Sequence, residues 1–152
     1  YTADSITGTY AEFVVCKEKQ VGHLPENISF EQGAGVFVPY ATSFRGLFQK
    51  AKAKSGETVL VHGASGGVGI AAVQWAKNAG LTVIGTASSA EGKQLVKEQG
   101  ADFVFDHTDE NYLRQILEAT ENKGVDVILE MLANINLVKD FDVLAKYGRI
   151  VI

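Results

Sequence analysis

The sequence predicts an α/β fold built on a doubly wound parallel sheet, and three observations predict it. From residue 57 onward, short apolar runs alternate with longer segments whose apolar residues recur at helical spacing. Those runs are mostly unbroken, as strands are when helices cover both faces of a sheet. The glycine-rich stretch GASGGVG, residues 63–69, stands where the first run gives way to the first helix.

Taken in order, ETVLVHG reads as a buried strand and VGIAAVQWAKNAG as a helix that Gly80 stops. LTVIGTA is a second strand. SSAEGKQLVKEQG follows as a short amphipathic helix, with Ser88 and Glu91 in capping-box spacing and Gly100 at its end. ADFVFD, a polar-led helix across TDENYLRQILEATENKG, VDVILE, a helix across NINLVKDFDVLAKYG, and RIVI complete five strand signals. Right-handed crossovers then give the doubly wound sheet. Residues 1–38 do not share the rhythm. GTYAEFVVCKEKQVGHLPE alternates like an antiparallel strand pair with a Pro-containing turn. Ser29 with Gln32 caps a helix through FEQGAGVFVPYATSFRGLFQKAK, which Pro39 should break or kink. The expectation is therefore two parts: residues 1–38 as the tail of a neighbouring domain plus a connector, and residues 39–152 as a nucleotide-binding domain. YTADSITGTY lacks an initiator Met and GRIVI stops within a strand signal, so a fragment truncated at its C-terminus is expected.

Composition narrows the function classes. The 152 residues are 46% hydrophobic and 21% charged, ordinary for a soluble globular domain. Fourteen basic and eighteen acidic residues give a net charge of −4 with no charge block, so no nucleic-acid footprint is predicted. Cys16 is the single cysteine, which excludes an intramolecular disulfide and fits a reducing compartment. The longest stretch without an ionised residue, Thr58 to Ala76, has the length to span a bilayer, but its glycine cluster, His62, Ser65 and Gln74 argue against that, and no membrane role is expected.

Residues 64–69, A-S-G-G-V-G, overlay G-x-G-x-x-G with Ala64 in the first glycine position. Gly66 lets the backbone approach a ligand and Gly69 lets the helix pack on the strand. A helix N-terminus offers unpaired N–H groups and a partial positive charge, so a pyrophosphate is the natural occupant. The loop alone would also serve as a tight packing turn; the strand–helix units around it favour dinucleotide binding. Loops of this kind that bind NAD carry an acid about 20 residues on, at the end of the second strand. Here GTASSAEGK offers Ser88 and Ser89, with Lys93 one helical turn further. Hydroxyls and an ammonium suit a 2′-phosphate that a carboxylate would repel, which favours NADP over NAD. Capping by Ser88 and a solvated Lys93 are compatible with that role, and Glu91 opposes it. The histidines at 23, 62 and 107 lack metal-ligand spacing, His62 sits on a buried strand face, and no paired carboxylates are visible.

VLVHGASGGVG, GTASS, GADFVFDH, VDVILEMLANINL and GRIVI, with LPENISFEQGAG and VPYATSFRGL before them, resemble the zeta-crystallin type of quinone oxidoreductase in the medium-chain dehydrogenase/reductase superfamily, its zinc-independent branch. The resemblance covers essentially the whole chain and is most specific at EMLANIN and the AxxGGVG loop. It implies a Rossmann cofactor domain cut from a two-domain protein whose GroES-like catalytic domain ends in residues 1–38. NADPH would lie across the carboxyl edge of the sheet with its pyrophosphate on Ser65, Gly66, Gly67 and Val68. Ser88 and Lys93 would face the 2′-phosphate, although Lys93 stands a place or so from the basic residue of some relatives. His107 would pack beside the adenosine, Asn136 near the nicotinamide half and Thr42 near the nicotinamide ring. At three places a plainer role stays open: His107 as the start of a helix cap, neighbouring Asn134 as the next N-cap, and the Thr42 hydroxyl as a backbone partner. Zinc-dependent relatives carry a cysteine four residues before that threonine, where this chain has Val38, so no catalytic zinc is implied.

The activity implied is NADPH-dependent reduction of small-molecule quinones, ortho-quinones above all, by hydride or single-electron transfer, in a cytoplasmic dimer or tetramer. Much of the substrate pocket would lie outside this chain, which alone should bind nucleotide and turn over little. Two rival readings accompany it: an enoyl or alkenal reductase of the same superfamily, and a crystallin or AU-rich RNA-binding role. The net charge of −4 and the lack of a basic stripe oppose strong RNA affinity.

Overall fold

A computed structural model describes residues 1–2 and 8–152. Five parallel strands form one sheet: β1 (Thr58–Val61), β2 (Thr82–Thr86), β3 (Phe103–Phe105), β4 (Val125–Leu129) and β5 (Leu144–Val151), in the order β3-β2-β1-β4-β5. The expected doubly wound sheet is formed. Val59 pairs with Val83 on one side and Val127 on the other, so β1 is the central strand. Successive strand residues point to opposite faces. Val59, Val61, Val83 and Val127 meet Leu47, Ala72, Val73, Ala76 and Val96 on one face. Leu60, Ile84 and Ile128 meet Tyr112, Ile116 and Val143 on the other. Both faces are covered, which is why residues 59–61, 83–84 and 127–129 run apolar without alternation.

The helices are α1 (Phe30–Ala34), α2 (Phe37–Phe44), α3 (Gly67–Asn78), α4 (Ala90–Glu98), α5 (Tyr112–Ala119) and α6 (Ala133–Val143). Ser29 caps α1 as expected: its hydroxyl accepts from the Gln32 N–H at 3.2 Å, and the Gln32 side chain accepts from the Ser29 N–H at 2.9 Å. The helical run then breaks at Gly35–Val36, ahead of Pro39. Pro39 falls in the first turn of α2, where a missing N–H costs no intrahelical bond. Beyond Phe44 the helix widens into a π turn over Arg45–Lys50, whose Leu47 is buried in the sheet core.

Four expectations are corrected. The antiparallel pair within residues 8–26 is absent among the described residues, where Thr2 and Val21 make an isolated bridge and Glu18–Gln20 a 3-10 turn. Tyr10, Phe13 and Val15 are exposed, and a two-stranded ribbon without a face to cover is marginal. The cap of α4 is Ser89 and not Ser88: the Ser89 hydroxyl accepts from the Gly92 N–H at 2.9 Å, so the helix starts one residue later than the Ser88–Glu91 spacing suggests. Helix α5 starts at Tyr112, because the Asp106 and Asp109 carboxylates accept from the Thr108 and Asn111 N–H groups and hold that stretch in turns. Strand β5 starts at Leu144, and LAKYG belongs to it. Val125 pairs with Leu144 but Val127 with Arg149, so the intervening residues bulge, with Tyr147 at φ 67°. Among the described residues no helix is long and apolar enough to cross a membrane.

Candidate nucleotide-binding site

From β1 the chain runs outward through β2 to β3, then returns to place β4 on the other side of β1. Crevices for ligands open at such a reversal, above the carboxyl ends of the strands. The glycine loop lies there. Gly63 turns the chain at φ 57° and donates its N–H to the Thr86 hydroxyl at 3.2 Å, while Ala64 donates to the Thr86 carbonyl at 2.9 Å. Ala64 is fully buried, and it fits in a position usually glycine because β2 supplies Gly85 opposite it: a Cβ on Gly85 would lie 2.9 Å from the Ala64 Cβ. Gly69 marks the closest approach of α3 to the loop, for a Cβ there would lie 2.5 Å from the Gly63 carbonyl oxygen.

Gly66 and Gly67 differ in kind. Both are exposed, and a Cβ would meet only the Gly63 oxygen at 3.4 Å or Pro39 Cγ at 3.7 Å. Gly66 occupies the N-cap of α3 in extended conformation without a side-chain hydrogen bond, and the first helical bond runs from the Ile70 N–H to the Gly66 carbonyl at 2.8 Å. The N–H groups of Gly67, Val68 and Gly69 therefore have no acceptor within the helix. Open space, bare backbone donors and the positive end of the helix form a cradle that fits a dinucleotide pyrophosphate.

The other expected site residues follow the same sheet edge. Ser65 reaches the β2–α4 turn: a Cβ on Gly92 would lie 3.3 Å from Ser65 Oγ and 3.1 Å from Ser89 Oγ. Ser88 is exposed in the bend after β2. Lys93, in the first turn of α4, donates through Nζ to Asp106 Oδ2 at 2.7 Å. That ammonium, with the Thr108 hydroxyl and N–H, holds the Asp106 carboxyl far below the usual carboxylate range. A phosphate recruited by Lys93 would compete with Asp106. His107 is exposed after β3 and does not cap α5, whose N-cap is Asn111. Asn134 is not a cap either, since Leu132 holds that position in α6. Asn136 lies within α6 and donates its amide to Glu130 Oε1 at 3.2 Å. Thr42 is exposed on α2, and the hydroxyl that bonds to backbone there belongs to Ser43, donating to the Pro39 carbonyl at 2.8 Å. Thr42, Val68, Arg45, Lys50, Glu130 and Met131 are among the residues lining a cavity of about 210 Å³ beyond β4.

One group went unseen in the sequence. His62 is buried as expected, but in the turn one residue past β1 and not on the strand itself, and Glu130 and Asp140 converge on it, so the expectation of no paired carboxylates is corrected. His62 Nε2 lies 2.8 Å from Asp140 Oδ1 and 3.5 Å from Glu130 Oε2. Burial, and then the neighbouring Glu130, push the Asp140 carboxyl up to about 6, against the pull of His62. Residues 62, 130 and 140 share no sequence spacing; the adjacency of β1 and β4 brings the first two together, and Asp140 reaches them from α6. The three ligand-type atoms lie within 4.8 Å of one another. They do not fit a catalytic zinc. Two atoms bound to one zinc sit about 3.3 Å apart, and such a site keeps a position open to substrate. Here the His62–Asp140 contact has hydrogen-bond length and the side chains are 0–3% exposed.

The chain is 46% identical over 152 residues to the quinone oxidoreductase of Homo sapiens, covering 100% of this chain and 46% of that protein. It thus spans about half the length of the curated relatives it matches. A crystal structure of an NAD-dependent alcohol dehydrogenase matches with a TM-score of 0.90 and 33% identity, covering 94% of this chain and 42% of the other. One of CurK enoyl reductase matches with a TM-score of 0.80 and 32% identity, over 87% and 40%. The family profile described as "Zinc-binding dehydrogenase" matches residues 67–152. Those residues begin at the exposed Gly67 of the cradle and take in four of the five strands, and by this match the chain belongs to the zinc-binding dehydrogenase family.

Proposed function

We propose that the protein carrying this chain is a metal-independent, NADPH-dependent reductase of small quinones, ortho-quinones foremost, acting in the cytoplasm as a dimer or tetramer. The observation that carries the reading is the uncapped start of α3, where exposed Gly66 and Gly67 open the first turn at the sheet reversal and its leading backbone N–H groups have no acceptor within the helix. The nicotinamide cofactor supplies the reducing equivalents when bound. On this reading the loop residues Ser65 to Val68 hold the pyrophosphate, and Ser88 and Lys93 hold the 2′-phosphate by hydrogen bond and charge. His107 flanks the adenosine. Thr42, Val68 and Met131 line the far cavity at the nicotinamide end, where Asn136 is held by Glu130. Metal independence is supported by Val38, which offers no ligand atom, and by the misfit of the His62 cluster. Residues 39–152 are then the cofactor domain and residues 1–38 the end of a GroES-like domain that shapes much of the substrate pocket.

The quinone substrate is supported by the name of the human relative, and the structural likeness to CurK supports an enoyl or alkenal reductase as the second reading. Assaying the whole protein with NADPH on 1,2-naphthoquinone and on an α,β-unsaturated aldehyde separates them. A clear preference for the quinone is expected, and preference for the aldehyde overturns the choice.

For the cofactor, Lys93→Glu is expected to weaken NADPH about tenfold more than NADH in fluorescence titration, because the carboxylate would face the 2′-phosphate that NADH lacks. Equal losses for both nucleotides would remove Lys93 from the phosphate site.

A further inference from the structure

His62 follows β1, Glu130 follows β4 and Asp140 lies in α6, and none of the three is exposed enough to meet a substrate. The ring nitrogen Nε2 faces oxygens of both carboxyl groups, so it carries a proton: a lone pair there would face charge of its own sign. That proton serves Asp140 Oδ1 and leaves Glu130 Oε2 and Asp140 Oδ2 buried with no hydrogen-bond partner. Buried polar atoms rarely lack a partner, and two neighbouring carboxylates disfavour joint ionisation. One proton held by the carboxyl pair eases both problems: it removes one charge and makes one carboxyl group a donor toward the other, whose ligand-type oxygen lies within 4.8 Å. The other oxygen of Glu130 accepts from the Leu132 N–H and the Asn136 amide.

We propose that Asp140 and Glu130 share one proton beside His62, and that the pair, so held at a single negative charge, is the anchor positioning residues 131–136 along the nicotinamide half of the cofactor site. The positioning half rests on the nucleotide reading above; the shared proton does not. His62 and Asp140 are positioning residues that act through Glu130. The charged and titratable groups around the pair are His62 from the turn after β1, Tyr112 from α5, whose phenol burial and the two acids push up, and Arg45 and Lys50 across the cavity that Glu130 borders. The raised Asp140 value supports the same picture. Folded Asp140 keeps its proton to higher pH than an unfolded aspartate does, so its contribution to stability is full below the ordinary value of 3.8 and is lost as pH rises through about 6.

Asp140→Asn and Glu130→Gln each imitate the protonated member without altering its shape. Thermal unfolding of the whole protein without nucleotide is therefore expected to show both variants gaining on wild type by about 3 °C between pH 4.5 and 7.5. A pH-independent difference overturns the shared proton, as does one divalent metal per chain that co-purifies with wild type and is lost from both variants. For the positioning half, Glu130→Ala is expected to weaken NADPH about tenfold while 2′-phospho-ADP-ribose, which lacks the nicotinamide, stays within about twofold. Both single amide variants should bind NADPH within about threefold of wild type, since the amide oxygen at 130 still accepts from Leu132 and Asn136. Equal loss of both ligands in Glu130→Ala, or a tenfold loss in either amide variant, overturns the anchor. If wild type binds neither ligand, the anchor falls together with the nucleotide reading, and the unfolding arm still decides the proton.

Discussion

A Gly69→Ala chain is expected to lose about 3 kcal/mol or more of folding stability and, with it, nucleotide binding. The added methyl would stand 2.5 Å from the Gly63 oxygen, 2.6 Å from Ala64 Cα and 2.8 Å from the Ala64 carbonyl carbon. All three are backbone atoms, so no side chain can swing aside. Relief requires α3 to lift from the loop, yet Ala71, Ala72, Val73 and Ala76 of that helix are fully buried. Shifting the helix opens gaps beneath those four residues, and close-packed interiors tolerate neither gaps nor overlap. A fall in the unfolding midpoint of about 10 °C is the expected reading for a chain of this size. A midpoint within about 2 °C of wild type would show that the loop yields more than its geometry allows.

Gly67→Asp should give the opposite signature. The position is exposed, and a Cβ there lies in ordinary contact with Pro39 at 3.7 Å, so the fold accommodates it. A carboxylate in the first turn of a helix interacts favourably with its dipole, so stability should hold or rise by a few tenths of a kcal/mol. The same carboxylate occupies the cradle with like charge, and a pyrophosphate a few ångströms away is repelled strongly where solvent is partly excluded. NADPH and NADH are both expected to weaken about 100-fold, with the unfolding midpoint unchanged. Retention of either nucleotide would move the pyrophosphate off the α3 terminus. Two glycines two residues apart thus separate folding from binding.

How far the sequence could be read follows from how local each determinant is. Strands β1, β2 and β4 announce themselves through TVLV, TVIGT and VDVIL because burial on both faces selects apolar residues through most of each run. The cradle is equally local, a few consecutive residues at a strand-to-helix turn. Ser89 displaced Ser88 as the cap because adjacent serines offer the same hydroxyl, and only the exit path of β2 chooses between them. The bulge in β5 is invisible in LAKYG, since it arises from pairing with Val125 and Val127. Lys93 was readable as a cation near the second strand, but not its pairing with Asp106 across the sheet edge. The His62 cluster was least legible of all: its contacts join His62 to residues 68 and 78 positions away, and no periodicity spans such gaps.

The placement of β1 between β2 and β4 also sets an order in time. β1 can pair with β2 across a single helix, but its other edge waits until residues 127–129 arrive. Pairings of such sequence separation form late, because loop closure must precede the contacts that repay it. The phosphate end of the site can thus assemble early in folding, and the nicotinamide end only with the last crossover. Added nucleotide should then slow unfolding far more than it speeds refolding, since the full binding surface exists only after the rate-limiting step.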